Sequence, residues 1–254
     1  PQVTPMANAM SAIKGRNSII IAPHPRAEKT TKYLVDRWNE KLKKLGAPDN
    51  LIQYVDGASV ERTRLLMENV DVIVATGGPG MVKAAYSSGK PSYGVGQGNV
   101  QTIIDRDVDM KEAVKMIIDG RIFDNGIICS GEQTIITPIE RYEEMRKEVE
   151  AYGGYWIEKE SEREDILNVL FPEGKINKEM VGQTVQDIAK ASGVNIPEST
   201  KVIIIPEEVW NKKSLLRKEK MFPVITPFKY EDFSEAVDIA IENLEIEGKG
   251  HSVS

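Results

Sequence analysis

Five short apolar runs alternate with amphipathic stretches through the first half of the sequence, and that alternation restricts the chain more than any other feature. The runs are residues 18–22 (SIIIA), 51–55, 70–75 (VDVIVA), 92–95 and 100–104. Between them, residues 28–45 place Tyr33, Leu34, Trp38, Leu42 and Leu45 at helical spacing, with Gly46 as a stop. Residues 60–68, 81–88 and 109–119 also read as helices, the last ending at Gly120. Strands that are apolar on both faces predict a parallel sheet covered by helices on both sides, an α/β architecture. After Gly120 the texture changes. Residues 133–137 (QTIIT) and 201–206 (KVIIIP) read as strands, and 139–152, 165–171, 180–191 and 233–243 as helices. The break predicts two domains, 1–125 and 126–254.

Composition narrows the function. Hydrophobic residues make up 41% and charged residues 28%, the profile of a chain with a packed core. Thirty-three Lys and Arg against thirty-nine Asp and Glu give a net charge of −6, so no nucleic-acid footprint is expected. No apolar run approaches the ~20 residues of a membrane span, and the first fifteen residues show no signal-peptide pattern. One cysteine and two histidines rule out a disulfide framework and leave no metal centre in prospect. A cytoplasmic protein is expected.

Five places carry candidate chemistry. Thr76-Gly77-Gly78-Pro79-Gly80 joins a strand to a helix, where glycines let phosphate approach and free N–H groups offer a positive end. The fingerprint G-x-G-x-x-G is absent there and in Gly94-Val95-Gly96-Gln97-Gly98-Asn99, so each stretch reads equally as a tight turn or a ligand loop. Cys129 follows the domain break and precedes Ser130-Gly131. A lone cysteine is usually a small buried hydrophobe, but at a boundary it is a candidate nucleophile. His251 stands in a glycine-flanked loop, as acid–base chemistry or plain exposure would allow. His24, between Pro23 and Pro25, lies just past a strand end, where α/β sheets bind ligands.

Seven blocks together resemble the CoA-acylating branch of the aldehyde dehydrogenases. They are residues 6–10 with 14–17, 22–25, 75–86, 93–99, 123–129, 218–224 and 248–251, in family order along the chain. The nearest branches are the acylating succinate-semialdehyde dehydrogenases and the aldehyde half of bifunctional aldehyde–alcohol dehydrogenases. The resemblance implies an aldehyde dehydrogenase-like fold: a Rossmann-like NAD(P)-binding domain at 1–125 and an α/β catalytic domain at 126–254, both incomplete. It implies an oxidoreductase that converts an aldehyde, coenzyme A and NAD or NADP to acyl-CoA through a thiohemiacetal and thioester on Cys129. Thr76, Gly77, Gly78 and Gly80 would lie on the nucleotide turn, Pro23 and His24 beside the adenosine end, and Glu219 at the nicotinamide ribose. His251 would transfer a proton or position CoA. The full-length protein would be a homo-oligomer.

The acyl acceptor follows from chemistry. Hydrolytic relatives carry a water-activating glutamate in the stretch matching residues 91–99, which here reads PSYGVGQGN and holds no carboxylate. Without a general base water attacks a thioester poorly, whereas a thiol attacks readily. Family members also have an oxyanion-holding asparagine just before the proline that matches Pro1, and they continue past Ser254, so this chain is expected to be a fragment. The rival expectations are a hydrolytic dehydrogenase, a non-catalytic nucleotide-binding fragment and, further off, a Cys–His hydrolase.

Overall fold

A computed structural model describes residues 3–249 and 252–254. The chain divides into two compact units, Pro1–Gly94 and Val95–Ser254. The first contains α1 (Val3–Lys14), β1 (Ile19–Ile21), α2 (Glu28–Lys44), β2 (Ile52–Tyr54), α3 (Val60–Asn69), β3 (Ile73–Thr76) and α4 (Pro79–Tyr86), and β4 (Ser92–Val95) closes it. Strands β1 and β2 pair in parallel, Ile19 opposite Ile52, and β3 pairs with β4. Ala9, Val35 and Ile52 form one small core with Trp38 and Ile21, and Met67, Ile73, Ala75 and Ala85 form another. Each two-stranded sheet is covered on one face, whereas the sequence pattern predicts cover on both. Ile20 and Val74 lie on the open faces, 39% and 55% exposed.

The second unit follows the expected rule. Its strands β5 (Val100–Ile103), β6 (Glu132–Pro138), β7 (Gly154–Trp156), β8 (Val202–Ile204) and β9 (Val224–Tyr230) form one parallel sheet in the order β5-β6-β9-β8-β7. The helices are α5 (Met110–Ile122), α6 (Tyr142–Ala151), α7 (Glu160–Leu170), α8 (Val185–Ser192) and α9 (Phe233–Ile246). Because side chains alternate along a strand, Val202 and Ile204 enter the core under α5 and α6. Ile203 and Ile205 enter the one under α7 and α8. This two-sided burial is why KVIIIP is continuously apolar. Helix ends are marked by side chains: Asp109 and Asp232 accept from N–H groups of the first turns of α5 and α9, and Thr184 with Asp187 makes a reciprocal capping pair on α8.

The sheet runs straight across the expected boundary at 125/126. β5 and α5 join β6, so the compact units part at Gly94–Val95 instead. Residues 252–254 lie beside β5, where Ser254 N–H donates to Gln101 and Ile103 N–H donates to Ser254. Among the described residues no helix is long and apolar enough to cross a membrane.

Candidate active site

In the order β5-β6-β9 three parallel strands are neighbours, so their N-terminal ends share one edge. Gly98 lies two residues before β5, Cys129 three before β6, and Glu219 five before β9. Residues far apart in sequence therefore converge by topology alone.

Cys129 is a free, half-buried thiol. The loop that carries it is built in an unusual way. Asp124, Asn125 and Gly126 all have left-handed backbone angles, φ 50°, 53° and 75°. Such a run reverses the sense of α5 and turns the chain back toward the sheet, and Asn and Gly are the residues that tolerate it. Asn125 holds the turn by donating from Nδ2 to Gly182 O at 3.1 Å. Gly126 leaves no room for a side chain: a Cβ there would meet Arg121 and Phe222 O. Arg121, with 0% exposure, sends its guanidinium across the loop, donating to Gly126 O, to Gly131 O at 3.4 Å and to Glu132 O at 3.5 Å. Both ends of the Cys129 loop are thus tied to one buried cation.

Burial pushes the Cys129 thiol above its ordinary pKa, and the charge of Glu219 pushes it the same way. The N–H groups of Cys129 and Ser130 pull in the opposite direction. Glu219 is 7% exposed. Its Oε1 accepts Gly98 N–H at 2.9 Å, and its own N–H donates to Glu247 Oε2 at 2.9 Å. Burial raises the Glu219 carboxyl, the Gly98 N–H opposes that, Glu247 adds to it, and Arg121 and Lys220 draw it back.

Beneath the loop lies a buried polar network that the sequence reading did not foresee. Gln133 Nε2 donates to Gly98 O at 3.0 Å and Gln133 Oε1 accepts Lys220 N–H at 2.5 Å. Asn99 donates to Arg217 O at 2.7 Å, Arg217 donates to Asn243 Oδ1 at 2.6 Å, and Asn243 donates to Gln101 Oε1 at 2.7 Å. An amide within a short strand is the available signal: Gln133 is the second residue of β6 and Gln101 the second of β5. Gly248, at φ 113°, packs against Asn99 where a Cβ would come within 2.5 Å of its N.

Apart from His251, the remaining sequence candidates lie in the first unit. Thr76 ends β3, and Gly78 is the N-terminal cap of α4 without a side-chain cap; Pro79 has no N–H and Met81 N–H donates to Gly78 O at 3.0 Å, which leaves Gly80 N–H as the open donor of the first turn. A Cβ on Gly78 or Gly80 would meet nothing within 4 Å, and one on Gly77 only Met81. This uncapped, uncrowded turn fits a pyrophosphate. Pro23 and His24 lie just beyond the C-terminal end of β1, and His24 Nδ1 accepts Arg26 N–H at 3.2 Å. Past β2, Glu28 accepts Gly57 N–H at 2.6 Å and Ala58 N–H at 3.3 Å, which keeps its carboxyl below the usual range. His251 lies outside the described residues. Among the described residues no group of His, Cys, Asp and Glu is placed to hold a metal ion.

Comparison with known proteins agrees with the fold. The sequence model described as "Aldehyde dehydrogenase family" matches residues 1–245. Succinate-semialdehyde dehydrogenase (acetylating) of Clostridium kluyveri is 51% identical over 252 residues, covering 99% of this chain and 56% of that protein. An acetylating aldehyde dehydrogenase from Geobacillus thermoglucosidasius superposes with a TM-score of 0.93 at 36% identity, covering 100% of this chain and 56% of that one. A propionaldehyde dehydrogenase from Rhodopseudomonas palustris, solved with bound CoA and an acylated cysteine, superposes with a TM-score of 0.86 at 29% identity, covering 94% and 55%. The chain spans just over half the length of these proteins.

Proposed function

This chain belongs to the aldehyde dehydrogenase family, and on that premise we propose that it carries the nucleophile and a nucleotide-binding turn of a CoA-acylating, NAD(P)-dependent aldehyde dehydrogenase. The observation that carries the reading is the place of Cys129 in the fold: a half-buried thiol on a clamped loop, at the sheet edge where β5 and β9 also begin, in a chain whose residues 91–99 hold no carboxylate. The Cys129 thiolate attacks the aldehyde carbon, and the carbonyl oxygen becomes the oxyanion of a thiohemiacetal. Thr76, Gly77, Gly78 and Gly80 would hold NAD or NADP, with Pro23 and His24 beside the adenosine end, and the bound cofactor would supply a hydride acceptor. With the substrate carbon oxidised, Cys129 would hold an acyl thioester. The thiol of coenzyme A, its proton passing to solvent, attacks that thioester and expels Cys129 as thiolate. Glu219 takes the nicotinamide-ribose position, and His251 the proton-transfer or CoA-positioning role.

Glu219 is the carboxylate whose charge reaches the thiol, and its Oε1 is already engaged by Gly98 N–H. A buried carboxylate so tied serves as a fixed anchor rather than a base that activates water, and CoA rather than water is the acceptor. Succinate semialdehyde, which names the 51%-identical relative, is the first aldehyde to test, followed by acetaldehyde and a sulfonated two-carbon aldehyde. The single cysteine, a free thiol, suits the reducing cytoplasm, and the working form is a homo-oligomer.

The test is to mix the protein with aldehyde and NAD or NADP, with and without CoA, following reduced cofactor and the mass of the Cys129 peptide. Without CoA an acyl adduct on Cys129 should build up and turnover should stop; with CoA turnover should continue. Sustained turnover without CoA would favour the hydrolytic reading, and cofactor binding without an adduct the non-catalytic one. Full activity in Cys129→Ala would remove the nucleophile assignment.

A further inference from the structure

Gly98 is gripped on both of its peptide groups. Its N–H donates to Glu219 Oε1 at 2.9 Å and its C=O accepts Gln133 Nε2 at 3.0 Å. Gln133 is 0% exposed and uses both ends of its amide, since Oε1 accepts Lys220 N–H at 2.5 Å. One side chain therefore joins three segments: the strand that begins just beyond Cys129, the Gly98 loop, and the Glu219–Lys220 pair. A flipped amide would set donor against donor at Lys220 and acceptor against acceptor at Gly98, so the orientation is fixed. A glycine has no side chain to hold it, and the direction of the Gly98 N–H is set by this grip together with the antiparallel bridge that Gly98 makes with Lys249.

We propose that Gln133 is a positioning residue: by holding Gly98 it keeps the Glu219 carboxylate at a set place on the sheet edge it shares with Cys129. Its use in catalysis rests on the reading of Cys129 as nucleophile; the coupling itself is a property of this sheet edge. The charged groups facing Glu219 are Glu247, Arg121 and Lys220, and the charge that reaches Cys129 is that of Glu219. When Gln133 no longer holds Gly98, Glu219 loses an N–H partner that favours its charged form. The negative charge that reaches the thiol weakens or moves away, and the Cys129 thiol ionises at lower pH.

Alkylation of Cys129 by iodoacetamide between pH 6 and 10 reads this directly, in the full chain and without aldehyde or cofactor. Gln133→Met and Glu219→Gln should each lower the midpoint by about half a pH unit, about threefold faster reaction below it. The double variant should match Glu219→Gln alone, because Gln133 acts through Glu219. An unshifted midpoint in folded Gln133→Met, or a double variant in which the two shifts add, overturns the proposal. Where Gln133→Met does not fold, Gln133→Glu, which retains the acceptor for Lys220 N–H, is followed instead by hydrogen exchange at the Gly98 amide. Exchange there should rise about tenfold or more, and unchanged protection overturns the proposal. Neither measurement depends on turnover, so an inactive protein with the expected shifts would count against the acylating reading and leave the role of Gln133 standing.

Discussion

Lys220 is a side chain whose chemistry this fold alters strongly. It is 0% exposed, donates from Nζ to Leu216 O at 2.7 Å and Lys218 O at 3.2 Å, and burial, with Arg121 adding to it, pushes its pKa down to about 7. An unfolded lysine titrates near ~10.4. Below pH 7 both states carry the proton and the cost of burying the charge is fully present. Between pH 7 and about 10 the unfolded state holds more protons, so stability rises with pH. Urea midpoints should therefore climb over that window in the wild type more steeply than in Lys220→Met, and equal slopes would refute the depressed pKa. Cys129 was legible in the sequence because a single thiol leaves no other candidate nucleophile of its kind. Lys220, Arg121 and Gln133 were not, since in the sequence a charged or amide residue reads as exposed, and only packing reveals that it is buried.

Among elements, the turn through Asp124, Asn125 and Gly126 combines local legibility with a conformation the sequence did not disclose. Phe-Asp-Asn-Gly reads as a break in the pattern, and it is one, but three successive left-handed residues go beyond an ordinary turn. Asn125→Gly should be nearly neutral in backbone terms, losing only the Nδ2 bond to Gly182 O. Asn125→Val places a β-branched residue at φ 53° and should cost about 2–3 kcal/mol, counting strain and the lost bond. Thermal melts of the two variants separate these outcomes, and equal melting temperatures would show the turn to be unstrained. Helix α5 continues two residues past Gly120, where the sequence predicted its end. A Cβ on Gly120 would strike the Glu132 carboxylate, so that glycine serves close approach instead of termination. Strand β9 lies in the sheet's interior between β6 and β8, yet the sequence reading left it unmarked. Pro227 interrupts its pattern, and proline normally argues against an interior strand.

At the scale of the molecule, the sheet of the second unit depends on burial of both faces. Ile204, 1% exposed, packs with Val202, Ile225 and Met145. Ile204→Ala should lower stability by about 2–5 kcal/mol and strip hydrogen-exchange protection from β6, β8 and β9; a loss confined to β8 would show that the sheet does not unfold as one. The sequence alone determined the α/β class, most of the helices and strands to within a few residues, the Gly-rich turn after β3 and the choice of Cys129, because periodicity, capping and residue chemistry act over short stretches. It placed the division between units too late, because nothing local tells β5 which strand it will pair with. That pairing, and with it the meeting of Gly98, Cys129 and Glu219, was decided by the tertiary structure. Parallel strands can be neighbours only through long crossovers, so the strand order β5-β6-β9 joins residues 98, 129 and 219 at one edge. The burial of the thiol and the reach of the Glu219 charge exist only once that order has formed.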